Sequence, residues 1–227
     1  MTDTASLEQR IGHCFRNPSL LEQALTHSSR LQDNPDAADN QRLEFLGDAV
    51  LGLVLAEALY SAFPDEREGY LARARSVLAK GEFLAQLARE LELPSHILMS
   101  DAERAQEGHL RDAALEDSLE ALIGAIYLDT DYPTTRDCLL GWFGDIPARL
   151  QRRLTQDNPK GRLQEWSQAN GMAQPDYTIV DEAGPGHAKE FHAEVAIAGV
   201  PQGAGMGTSK KEAEEAAARV AITKLGV

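Results

Sequence analysis

Cysteine is scarce: Cys14 and Cys138 are the only two in 227 residues, far apart, without CxxC spacing and without histidines in a zinc-ligand pattern. Neither a disulfide framework nor a zinc site is indicated, and both thiols are expected to be reduced and inert. A leader is not expected either. The opening residues MTDTASLEQR carry acids and polar groups where a secretory signal needs a basic start and an apolar run, so a cytoplasmic protein is expected. A long uncharged stretch is also missing. In the most apolar region, residues 43–60, Glu44, Asp48 and Glu57 leave only residues 49–56 free of charge, so no membrane span is expected.

Basic charge is short as well, with 22 Lys and Arg against 36 Asp and Glu, a net of −14. At first sight this argues against a nucleic-acid partner, since polyanion binding usually leaves a basic footprint. The distribution matters more than the total. Residues 1–157 have 15 basic and 27 acidic side chains, whereas residues 158–227 have 7 and 9. The acidity therefore sits in the first two thirds.

What is present is an ordinary globular composition, 43% apolar and 26% charged, long enough for one large domain or two smaller ones. Apolar residues recur at three and four spacings in 18–26, 43–60, 70–79, 82–91 and 113–128, separated by the turn-rich stretches QDNPDAADN, FPDEREG, ELPSH and DTDYPTT. Residues 1–150 are expected to form an all-α domain. The polar segment 151–158, followed by Pro159, is read as a linker. Residues 159–227 change character: a short helix over KGRLQEWSQAN closed by Gly171, three strand-like stretches, and a final amphipathic helix over SKKEAEEAAARVAITKL. The order is α-β-β-β-α, a small α+β domain.

Two helices of the first domain carry acid pairs in apolar settings. Glu44 and Asp48 stand at i and i+4, and Asp117 and Glu120 at i and i+3, so each pair shares a face. Ionised carboxylates inside an apolar stretch are costly unless something positive meets them. Two such helices could surround one divalent cation. Oxygen donors without a soft ligand suit Mg²⁺ or Mn²⁺ better than zinc, and such an ion suits phosphodiester hydrolysis.

The segment NQRLEFLGDAVL resembles the signature of the ribonuclease III endonuclease domain, and LEDSLEALIGAIYLD resembles that family's second acidic segment. LTHSS and FPDEREGYLARARSVLAKGEFLAQLA extend the similarity in the right order. The resemblance implies a Mg²⁺-dependent endonuclease, with Mn²⁺ as a substitute, that cuts double-stranded RNA as a homodimer and leaves 5′-phosphate and 3′-hydroxyl ends. Ribosomal and messenger RNA precursors are the implied substrates. By motif match, Glu44, Asp117 and Glu120 would be metal ligands, Asp48 and Glu120 catalytic, and Phe45 a contact to the partner subunit. Gln41 stands where many family members carry an acid, and with Glu68 it would touch substrate. The alternative, a non-cleaving RNA-binding relative, would require loss of acids that are all present.

Residues 160–225 resemble the double-stranded-RNA-binding domain. Independently of that, Ser209 is placed as an N-cap with Glu212 three residues on, so free backbone N–H groups open beside Lys210 and Lys211 as a phosphate clamp. By resemblance, Gln164, Glu165 and His187 would reach the minor groove of a duplex, a mode that reads A-form shape more than sequence.

Overall fold

A computed structural model describes residues 4–183 and 189–226, which divide into two compact units, residues 1–150 and 151–227. Among the described residues the first unit is helical, as its periodicity predicts. Its helices are α1 (Thr4–Ile11), α2 (Pro18–Leu25), α3 (Gln41–Ala62), α4 (Glu68–Leu78), α5 (Gly81–Glu90), α6 (Asp101–Ala105), α7 (Asp112–Asp129) and α8 (Tyr132–Phe143). A further helix, α9 (Ile146–Asp157), buries Ile146 and Leu150 in this unit.

Helix α7 is the axis of the unit. Every residue from Ser118 to Ile126 is buried, the mark of a helix packed on all sides. Helices α2, α3 and α5 pack against it, and α3 makes the closest approach. Two glycines permit it. A Cβ on Gly47 would lie 1.7 Å from the backbone oxygen of Glu120, and one on Gly124 would lie 2.3 Å from that of Leu43. No other residue fits at either place without moving a helix. By length and composition α3 could cross a membrane, but here its inner face is core packed on α7.

The expected linker is different in the structure. Residues 151–157 continue α9 without a break, and the chain turns only at Asn158–Pro159. The segment QRRLTQD is polar but made mostly of good helix formers, so its polarity does not by itself mark a flexible joint.

The second unit has helix α10 (Pro159–Ala169), strands β1 (Asp176–Ala183), β2 (Glu190–Ile197) and β3 (Val200–Gly207), and helix α11 (Lys210–Leu225). The sheet is antiparallel in the order β1-β2-β3, with Tyr177 opposite Val195 and Val195 opposite Gly203. Ala193, Val195 and Ile197 face a core closed by Leu163 of α10 and by Ala213, Ala217, Ala218 and Ala221 of α11. The alternation in QGAGMG has a steric cause: a Cβ on Gly203 or Gly205 would meet the backbone of α11 at 2.4 Å or less. Gly171, at φ +66°, ends α10 in the left-handed region that favours glycine.

Candidate active site

Glu44 and Asp48 rise from the first two turns of α3, and Asp117 and Glu120 from α7, across the Gly47–Gly124 crossing. The close backbone approach there brings the two acid pairs into one electrostatic group. Glu120 is its centre. Only 9% exposed, it has a carboxyl pushed up to about 8, first by burial and then by Asp48, Glu116, Glu44 and Asp117. Burial also raises Glu44, with Asp117, Glu116, Asp39 and Asp48 adding repulsion. Asp117 is raised by burial alone, and the His27 imidazole draws it partly back.

A fifth carboxylate belongs to the cluster. Glu116 is raised by burial and by Asp117, Asp112 and Asp48. Its place is shaped by another glycine: a Cβ on Gly81, the first residue of α5, would fall 2.2 Å from Glu116 Oε2. The carboxylate thus lies at a helix start, where the dipole favours negative charge. Sequence reasoning passed over Glu116, although its spacing of four from Glu120 places it on the same face.

None of the described Lys or Arg side chains lowers any of these raised carboxyls; His27 on Asp117 is the one positive influence on them. Arg42, exposed on α3, does not supply the missing charge. The donor chemistry, carboxylate oxygens with no thiolate, fits a hard divalent cation. Among the described residues, however, no three His, Cys, Asp or Glu side chains already converge on one point at ligand distance. The cluster is an assembly of like charges on two facing helices rather than a finished cage.

The other residues singled out in this unit fall outside that group. Gln41, at the first position of α3, is exposed and lines a groove with Gln23, Phe45 and Leu128. Phe45 is 83% exposed, so it is not a core residue. Glu68, exposed at the start of α4, lines a different groove with Tyr60 and Arg75 and is not among the charges that raise the cluster.

In the second unit the expected N-cap is present: Ser209 Oγ accepts from the Glu212 backbone N–H at 3.2 Å. The Glu212 carboxylate reaches back to the Thr208 N–H at 2.9 Å, one residue earlier than a simple capping box requires. Lys210 and Lys211 are exposed beside this helix start, Lys210 with its ammonium 5.9 Å from the Phe191 ring centroid and Lys211 with Glu215 at 3.8 Å. Gln164 and Glu165 are exposed on α10. His187 lies outside the described residues.

Residues 17–143 match the family described as ribonuclease-III-like, and residues 159–225 match the double-stranded RNA binding motif. Over 222 residues the chain is 43% identical to ribonuclease 3 of Azotobacter vinelandii, covering 97% of this chain and 95% of that one. It is 42% identical over 224 residues to ribonuclease 3 of Pseudomonas putida, covering 98% and 96%. Among solved structures, the nuclease domain of ribonuclease III from Campylobacter jejuni superposes with a TM-score of 0.59 at 39% identity, covering 63% of this chain and 94% of that one. With its all-helical nuclease unit followed by an α-β-β-β-α RNA-binding unit, the chain belongs to the ribonuclease III family and is an endoribonuclease of double-stranded RNA.

Proposed function

We propose that the carboxylates at the α3–α7 crossing hold Mg²⁺, with Mn²⁺ as a substitute, and that the chain uses it to hydrolyse phosphodiesters of duplex RNA. The observation that carries this reading is the uncompensated charge: Glu120, nearly buried, is surrounded by four other acids and no described cation pairs with it. Glu44, Asp117 and Glu120 are the ligands, and Asp48 and Glu120 the residues on which cleavage depends. When bound, the ion supplies the Lewis acid that makes water a nucleophile near neutral pH and offsets charge on the phosphate. Asp48, across the crossing from Glu120, takes up the proton that the attacking water loses. The products carry 5′-phosphate and 3′-hydroxyl ends. Precursors of ribosomal and messenger RNA, rich in duplex, are the expected substrates in the cytoplasm.

The homodimer rests on the outer face of α3. Phe45, Leu53 and Tyr60, exposed at 83, 56 and 74%, form an apolar stripe at spacings of eight and seven, and exposed Leu128 of α7 shares the groove of Phe45. Exposed apolar side chains gathered on one helix face mark interaction surfaces. A Campylobacter jejuni nuclease-domain structure, 38% identical with a TM-score of 0.58, is described as flexible in a region involved in dimer formation. A second copy of this chain is therefore the partner assigned to the stripe. Gln41 and Glu68 contact substrate at its edge, and Gln164, Glu165, His187, Lys210 and Lys211 hold the duplex from the second unit.

The test is cleavage of a long perfect RNA duplex. Cutting should require Mg²⁺, resume with Mn²⁺ and stop with a chelator. Chelator-resistant cutting would contradict the cation.

A further inference from the structure

Asn40 occupies the N-cap of α3 but does not behave as a cap. An asparagine there usually accepts a hydrogen bond from a first-turn N–H through its side chain. Asn40 makes no such bond, its backbone is already right-handed helical at φ −84° and ψ −13°, and its side chain is only 2% exposed. The amide nitrogen Nδ2 is buried with no hydrogen-bond partner. A buried donor left unpaired costs free energy, and one retained at such a place calls for an explanation.

Its surroundings suggest one. The Asn40 backbone N–H donates to the Thr26 carbonyl at 2.9 Å, and the Asn40 carbonyl accepts from the Glu44 N–H at 2.9 Å. Asn40, Glu44 and Asp48 follow one another at spacings of four, on one helix face. Next to Thr26 stands His27, held firmly. Its backbone N–H donates to the Leu98 carbonyl, its Nδ1 accepts from the Ser29 N–H at 3.2 Å, and the Ser29 hydroxyl lies 2.9 Å from the same nitrogen. Ser29 Oγ in turn accepts from the Ser100 N–H. A backbone N–H can only donate, so Nδ1 is the acceptor and the ring proton sits on Nε2. Both residues thus stand at the edge of the carboxylate cluster: Asn40 one turn before Glu44 on α3, and His27 near enough to Asp117 to draw its carboxyl down.

We propose that Asn40 and His27 are positioning residues of the cation site, with Asn40 Nδ2–H orienting the Glu44 carboxylate and His27 Nε2–H orienting that of Asp117. Ligating carboxylates are themselves hydrogen-bonded from behind, and loss of such a partner weakens metal affinity. With the ion bound, each N–H would hold one oxygen of its acid and leave the other free to ligate. This inference rests on the cation reading of the proposed function.

The test is Mn²⁺ binding to the RNA-free full chain, followed by electron paramagnetic resonance of the free ion, with thermal unfolding in chelator read alongside. Asn40→Ala and His27→Ala should each weaken Mn²⁺ binding by about 10–100-fold. His27→Gln, whose amide nitrogen reaches toward the place of Nε2, should recover most of the loss. A purely structural role would lower the melting temperature and leave affinity within about twofold of the parent, and that result overturns the proposal. If a variant does not fold, the ¹⁵N-labelled parent decides. The Asn40 amide and His27 ring resonances should shift saturably as Mg²⁺ is added, and unmoved resonances overturn the proposal. A parent that binds no Mn²⁺ fails the cation reading itself; a parent that binds as its variants do fails only this inference.

Discussion

At the residue scale the defining quantity is the raised carboxyl of Glu120. An acid whose folded pKa lies above its unfolded value binds more protons folded than unfolded, so stability is lost as pH rises from about 4.5 through about 8. Glu44, Glu116 and Asp117 are raised too and act in the same direction. Without divalent cation the protein should therefore melt at a lower temperature at pH 8.5 than this site allows at pH 5.5. Glu120→Gln should remove much of that loss, stabilising the chelated protein at pH 8.5 by roughly 2 kcal/mol. Unfolding of both proteins at the two pH values checks this; equal gains at both would show that the carboxyl is not perturbed. Four of the five acids were legible in the sequence because helical spacing alone pairs 44 with 48 and 117 with 120. Glu116 stands at i, i+4 to Glu120 and is paired by the same spacing; what spacing does not give is its closeness to Asp48 of α3 and Gly81 of α5, a contact between segments distant in the chain. Asn40 was hidden for the same reason: its sequence neighbours suggest a cap, and only the fold buries it.

At the element scale the site exists because α3 and α7 touch backbone to backbone. Gly47→Ala places a methyl 1.7 Å from the Glu120 carbonyl oxygen, which neither helix can yield without moving the carboxylates apart. The substitution should destabilise the protein by about 3 kcal/mol or more and depress cleavage out of proportion to the fraction unfolded. Thermal unfolding and a cleavage assay at low temperature check both halves, and a variant with parental stability and rate would contradict the crossing. The helices themselves were legible from periodicity, since each carries a strong apolar pattern. The span 151–157, expected as a linker, is helical, because a polar helix and a polar linker share a composition. The same element scale applies to the start of α11. Lys210→Ala with Lys211→Ala should weaken duplex binding and reduce the steepness of its salt dependence by about 2 in the log–log slope at most. Unchanged salt dependence would remove these lysines from the phosphate contacts.

At the scale of the whole molecule the net charge of −14 is compatible with an RNA partner because the acids and the basic helix start are segregated along the chain. Residues 1–150 form a unit with its own buried core, so removal of 158–227 should leave a folded helical protein with residual, duplex-dependent cleavage. Phe45→Asp in the full chain should dissociate the proposed homodimer in sedimentation, since it places a charge at the most exposed position of the α3 stripe; an unchanged dimer would move the interface elsewhere. All of this presupposes that the acids at the crossing perform the chemistry. The most direct measurement is single-turnover cleavage of a long RNA duplex by Glu120→Gln at saturating Mg²⁺, with duplex binding measured on the same preparation. Loss of cleavage by about 10³-fold or more, with affinity retained within a few-fold, is the expected result. Cleavage at the parental rate would mean that the carboxylate cluster is not the site of hydrolysis.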